Sequence, residues 1–178
     1  MLGQGIPFVH GGDDILRSKS LDANSYNSSD WFNAIDWTYK SNGWGKGLPP
    51  SIRHRWNEAR PLLANRSLRP TRDDIVFARD VFREFLRIRK SSALFRLRTS
   101  AEVRSRVRFW NTGWEQTPGL IVLDIDGTDA GDAYQRIVVA FNASAESGGV
   151  RVPALRGGAL ARHPGQQKSA DRTLAAAQ

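Results

Sequence analysis

Asp13 and Asp14 stand side by side behind Gly11 and Gly12, and paired carboxylates are the first residues in this chain that suggest bond-breaking chemistry. Hydrolysis of a glycosidic bond uses two carboxyls roughly 5 to 9 Å apart, whereas neighbours on an extended chain point to opposite faces. The pair therefore reads as a loop feature, one carboxylate capping the loop and the other pairing with Arg17 or Lys19. His10, His54 and His163 have no spacing that suits a metal and read as ordinary hydrogen-bonding residues. Cysteine is absent, which excludes thiol nucleophiles, disulfides and thiolate metal sites. The run GGDD lacks the glycine spacing of a phosphate cradle, and the sequons at Asn27 and Asn142 are too short to decide anything.

A denser constellation occupies residues 25–50, SYNSSDWFNAIDWTYKSNGWGKGLPP, with six aromatics between Tyr26 and Trp44. Trp31, Phe32, Trp37 and Trp44 either stack on flat sugar faces or pack against one another. Asp30 and Asn33 either bond vicinal hydroxyls or form turns. From Leu16 to Pro61 no helical or strand period lasts, and a connection of that length is either functional or disordered. So many aromatics argue against disorder.

The elements that must hold this segment come before and after it. IPFV, Ile6–Val9, reads as one strand running into a loop, with Pro7 at its start or in an unpaired position. Thr71 and Asp74 make a capping-box-like start for an amphipathic helix over 72–90. Ile75, Phe77, Val81, Phe82, Phe85, Leu86 and Ile88 fall on one half of it, and Arg79, Asp80, Arg83, Glu84, Arg87 and Lys90 on the other. Arg89 lies among the apolar positions and snorkels. After Leu97 the period changes to two, so that EVRSRVRFWN, GLIVLDIDG and RIVVAFNAS predict three strands of an antiparallel meander or sandwich. Beyond Gly157 no period remains, and the tail is expected to be disordered. The fold class that follows is α/β plus all-β, a single βα element followed by a small β domain, which reads as a piece of something larger.

At 178 residues and 40% apolar content the chain can bury a real core. No apolar run reaches membrane-spanning length and no leader pattern follows Met1, so a soluble chain without a signal peptide is expected and no membrane partner is. Lysine and arginine outnumber aspartate and glutamate 26 to 18, which keeps an anionic partner in view. The arginines at 79, 83 and 87 are not interleaved with the aromatic platforms that nucleic acid needs, and they read as a solvated stripe.

In order, LRSKS, SYNS, DWFN and GLPP closely resemble the eighth-strand region of pullulanase-type debranching enzymes, in the α-amylase superfamily of glycoside hydrolases (family 13). The likeness continues through FLRIRKSSALFRLRT, RVRFWNTG, PGLIV and RIVVAFNA to VPAL and the His-Pro at His163, covering nearly the whole chain. It implies the last βα unit of a (β/α)8 TIM barrel followed by a C-terminal antiparallel β domain, incomplete at both ends. Residues 1–98 would close the barrel, with strand 8, the substrate-side loop and the last helix, and 99–178 would form a truncated β-sandwich domain. The implied activity is cleavage of α-1,6-glucosidic linkages in pullulan, starch or glycogen dextrins. No catalytic residue is expected here, since the family's nucleophile, acid/base and stabilising carboxylates lie on earlier strands. The resemblance makes Asp30 an acidic sugar contact and Asp14 a loop anchor, with Trp31 and Asn33 beside them as substrate-binding residues. Relatives usually carry a basic residue where Ala34 stands, and an acidic stretch ending in Asn-Trp-Pro where SIRHRWNEARP stands here. Expected partners are the α-glucan and the missing N-terminal part of the barrel, with no nucleic acid. No cofactor is implied, although calcium is possible in the parent enzyme. Two other classes stay open from the residues alone: a non-enzymatic carbohydrate-binding module using Trp31, Trp37 and Trp44, and a basic nucleic-acid binder.

Overall fold

A computed structural model describes residues 1–155, 160–167 and 169–171. Along the chain run helices α1 (Ser29–Asn33), α2 (Trp56–Ala64), α3 (Arg72–Ser91), α4 (Ser100–Arg106) and α5 (Pro164–Gln167), with strands β1 (Val107–Trp110), β2 (Leu120–Asp126) and β3 (Arg136–Asn142) between α4 and α5. The chain forms two compact units. One is built from Met1–Pro7 and the described part of Glu84–Lys168, the other from Phe8–Arg83 and the described part of Ser169–Gln178.

In the first unit β1, β2 and β3 pair in that order as an antiparallel meander, with Phe109 opposite Leu123 and Leu123 opposite Val139. This is the small antiparallel sheet that the alternation of β2 and β3 predicts, and it is the one sheet among the described residues. The pleat sends alternate residues to one face. Leu123 and Ile125 thereby meet Leu2, Ile88, Leu94 and Phe95 in a buried cluster, with Ile137 and Val139 packed on it. Met1–Gly5 is fastened to this unit by polar contacts. Gln4 donates to Leu94 O at 2.7 Å and accepts from Leu97 N at 3.0 Å, and the Arg89 guanidinium donates to the carbonyls of Met1, Gly3 and Gly5. Arg89 thus ties down backbone rather than snorkelling.

Two local expectations need correction. EVRSRVRFWN is not one strand, because its first half is helix α4 and only Val107–Trp110 is extended. The reason is a capping box at the helix start: Thr99 Oγ1 accepts from Glu102 N at 3.1 Å while Glu102 Oε2 accepts from Thr99 N at 2.9 Å. That reciprocal cap satisfies donors a new helix would leave open and outweighs a short alternating pattern. Glu84, placed by the helical wheel on the polar half of α3, is buried at 1% exposure. It stands one turn before the core residue Ile88. Its charge reaches His163, whose pKa burial lowers and Glu84 raises.

His163 serves as a hydrogen-bonding residue: its Nε2 lies 2.9 Å from Ser91 Oγ and 3.2 Å from the Tyr134 hydroxyl, and its Nδ1 accepts from Gly165 N at 3.0 Å. This fixes the turn into α5. The rest of the expected disordered tail, at 157–159, 168 and 172–178, lies outside the described residues.

The helix expected over 72–90 runs from Arg72 to Ser91, with Thr71 and Asp74 bonded reciprocally at its start. The expected strand Ile6–Val9, in contrast, has no ladder partner among the described residues. Ile6 and Phe8 are 95% and 101% exposed. Bare apolar surface of this kind is a binding or association surface. The isolated chain is therefore expected to bind the dye ANS and to self-associate, and Ile6→Ser with Phe8→Ser should lower the dye signal without lowering the thermal midpoint. An unchanged signal would assign the dye to some other surface.

Candidate functional site

The second unit holds its long loop with buried polar groups rather than with a large apolar core. Ser20, Asp22, Ser28 and Asn42 are all buried, and each bonds within the loop. Asp22 accepts from the hydroxyls of Ser28 and Ser51, the latter at 2.7 Å, and from Asn24 N at 3.0 Å. Ser20 Oγ donates to Gly43 O at 2.9 Å and accepts from Lys46 N at 3.2 Å. Asn42 donates to Leu16 O at 2.7 Å and accepts from Trp44 N at 3.0 Å, while Ser18 N donates to Asn42 O at 2.6 Å. Gly43 is required here, because at φ 90° a Cβ would stand 2.4 Å from Ser18 O. Burial pushes the Asp22 carboxyl up, but the bonds from Ser28, Ser51 and Asn24, helped by Lys19, outweigh it and hold its pKa below the ordinary carboxylate value.

Five residues of the loop, Leu16, Ser20, Leu21, Ser29 and Tyr39, have left-handed backbone. Each such conformation costs about 1 kcal/mol or more in a non-glycine residue. Strain of this kind persists where the surroundings over-determine it, and here the buried polar frame does so.

On this frame the expected site residues take distinct places. Asp30, Trp31 and Asn33 share helix α1. Asn33 Nδ2 donates to the carbonyls of Ser25 at 2.9 Å and Ser29 at 3.0 Å, so its amide forms a turn and leaves Oδ1 for any ligand. Asp30 is exposed, with no side-chain partner among the described residues. Trp31 is 60% exposed; its indole donates to Lys46 O at 3.0 Å, and Lys46 Nζ stands 5.6 Å from the ring centre. Asp14 lies half-buried in the preceding segment without a hydrogen-bond partner. Arg17 joins the two segments, donating to Gly11 O at 2.7 Å and to Asn33 O. Its stem folds over Gly12, where a Cβ would come within 2.6 Å of Arg17 Cδ.

Asp13 is the loop cap, accepting from His10 N at 3.1 Å. Neither carboxylate of the pair reaches Arg17 or Lys19, because Arg17 is spent on carbonyls and Lys19 donates to Ser25 Oγ at 2.6 Å. The aromatics divide as well: Phe32 is buried and Trp44 half-buried, whereas Trp37 is 64% exposed and joins Trp31 at the surface.

A cleft of about 460 Å³ opens among His10, Arg17, Ser18, Lys19, Leu21 and Asp22. None of Asp14, Asp30, Trp31 or Asn33 lines it. Sequence reasoning missed Asp22, Ser20 and Asn42, and it gave Arg17 a carboxylate partner in place of the carbonyls it bonds. A signal was present for some of them in Asp22-Ala-Asn24 and Asn42-Gly-Trp44, where a short side chain can bond the backbone two residues on. Among the described residues no cluster of histidine and carboxylate side chains has the makings of a metal site, and no helix is long and apolar enough to cross a membrane.

Residues 39–178 match the family described as alpha-1,6-glucosidases, pullulanase-type, C-terminal. The chain is 47% identical over 183 residues to a chloroplastic pullulanase of Arabidopsis thaliana, covering 97% of this chain and 19% of that protein. Against the pullulanase of Klebsiella pneumoniae the identity is 37% over 153 residues, 83% of this chain and 14% of the other. The crystal structure of that organism's apo pullulanase superposes with a TM-score of 0.73 at 38% identity, covering 82% of this chain and 16% of that one. A further structure of the Klebsiella pneumoniae enzyme, complexed with maltotriose, gives the same score over 82% of this chain and 14% of that one. The chain thus spans less than a fifth of the length of these relatives. On the match over 39–178 and the identity carried along nearly all of its length, the chain belongs to the pullulanase-type α-1,6-glucosidases, debranching glycoside hydrolases whose C-terminal domain it carries.

Proposed function

We propose that this chain supplies the last βα unit of a (β/α)8 barrel over residues 1–98, and the β domain behind it over 99–178, in an enzyme that hydrolyses α-1,6 linkages of pullulan, starch or glycogen dextrins. Within that enzyme Asp14, Asp30, Trp31 and Asn33 form part of the substrate wall. The observation that carries the reading is Ile6–Val9, an apolar segment left bare where a barrel strand would be covered on both faces, which leads directly into the loop bearing Trp31 and Trp37. Barrel enzymes keep their sites in the loops that follow their strands.

The carboxylates that cleave the bond come from the rest of the barrel. Asp124 and Asp126 share a small cleft with Arg136, but bonds from Thr128 hold Asp126 below the ordinary carboxylate value. A carboxyl kept ionised cannot serve as the general acid.

Incubated alone with pullulan, the chain is expected to release no reducing sugar; joined to the barrel sequence that precedes it in the family, it completes an active enzyme. There Trp31→Ala should raise KM about tenfold, the size of one lost stacking contact, with kcat changed less. Hydrolysis by the chain alone, or an unaltered KM, would overturn the reading.

A further inference from the structure

In the first unit the turn from β1 to β2, residues 111–119, borders a cleft of about 520 Å³. Its floor is apolar: Phe109 and Ile121 are 57% and 55% exposed. The rim is polar and built in advance. Asn111, in left-handed backbone at φ 59°, donates to Thr117 O at 2.9 Å and Leu120 O at 2.6 Å and accepts from Thr117 N at 2.7 Å. With the turn closed in this way, the Thr112 and Thr117 hydroxyls and the Gln116 amide have no side-chain partner among the described residues. Trp114, on the same turn, is 92% exposed.

The chemistry of this lining selects among ligands. No charged side chain lines the cleft, in a chain whose formal net charge is +8, so nothing here recognises a phosphate. An apolar protein surface laid over the rim would bury three polar groups without partners, each a loss. A neutral ligand with flat apolar faces and hydroxyl edges satisfies both floor and rim. We infer that this cleft is a second α-glucan site, which uses Phe109 and Ile121 as its apolar floor and Thr112, Gln116 and Thr117 as hydroxyl partners. That the sugar is an α-glucan rests on the proposed function.

The full chain, run through native gels containing glycogen and titrated with maltotriose, tests this. Phe109→Ala and Gln116→Ala should each weaken retention by about tenfold, the effect of one lost contact, and the double variant Trp31→Ala/Gln116→Ala should weaken it more than either single change. Gln116 lines the cleft with an exposed side chain, so its replacement leaves folding intact and decides the matter if Phe109→Ala fails to fold. Full retention of Gln116→Ala overturns the second site, and retention lost only with Trp31→Ala does so while leaving the substrate wall standing. Loss of self-association without loss of glycogen binding in Phe109→Ala would assign the cleft to a protein contact instead.

Discussion

Arg136→Met is expected to destabilise the first unit by about 3–5 kcal/mol, because it strands a buried carboxylate without its counter-charge. Asp124 sits in the central strand with its side chain 3% exposed, 3.0 Å from Arg136 Nη1, and it also accepts from the Trp110 indole at 3.1 Å. Arg136 reaches Asp126 too, at 3.6 Å, but that carboxylate is 42% exposed and the contact is worth little. A loss of this size is a large share of the roughly 5–15 kcal/mol that a domain has in total. Urea unfolding followed by tryptophan fluorescence measures it. Adding Asp124→Asn to Arg136→Met should recover more than half of the loss, since asparagine removes the stranded charge yet still accepts from Trp110. A single variant within about 1 kcal/mol of the parent, the range of an exposed ion pair, would mean that the pair is solvated after all.

That ion pair marks the limit of what the sequence discloses. The alternation in β2 predicts a strand and says which residues share a face, yet Asp124 lies among apolar neighbours and only the register with β3 supplies its partner. Helix α3 was legible because 20 residues repeat one apolar face behind a capping box; Glu84 escaped because burial depends on what covers the helix, and the wheel contains no such information. Helix α4 is hidden although Thr99 and Glu102 spell out its cap, since the alternation of the strand after it extends back into its own sequence. The loop is legible as an ordered aromatic segment from composition. Its frame is not, because Ser20 to Gly43 and Asp22 to Ser51 are bonds across more than 20 residues, and isolated polar contacts at that separation leave no period to read.

That frame can be tested at its centre. Asp22→Ala removes three acceptor contacts and leaves the buried Ser28 hydroxyl without one, and bonds to a charged acceptor are the stronger kind. A loss of about 3 kcal/mol is expected, expressed as local opening of residues 18–51 because the frame belongs to the loop. Opening of that size corresponds to roughly a hundredfold faster tryptic cleavage at Lys40 and Lys46 when reclosing outpaces cleavage. The pH dependence has a definite sign. The folded carboxyl titrates below the ordinary value, so its contribution is complete above the unfolded pKa and is lost as pH falls through the folded one. Hydrogen exchange in the loop should therefore accelerate, beyond its intrinsic pH trend, only in that acid window. Asp22→Asn keeps one acceptor and no titrating group, so it should show intermediate protection and no added acid response. If Asp22→Ala leaves the tryptic rate at Lys40 and Lys46 unchanged, the aromatic segment is held by its packed Phe32 and Trp44 rather than by polar bonds, and the strained backbone at Ser20, Leu21 and Ser29 needs another source of support.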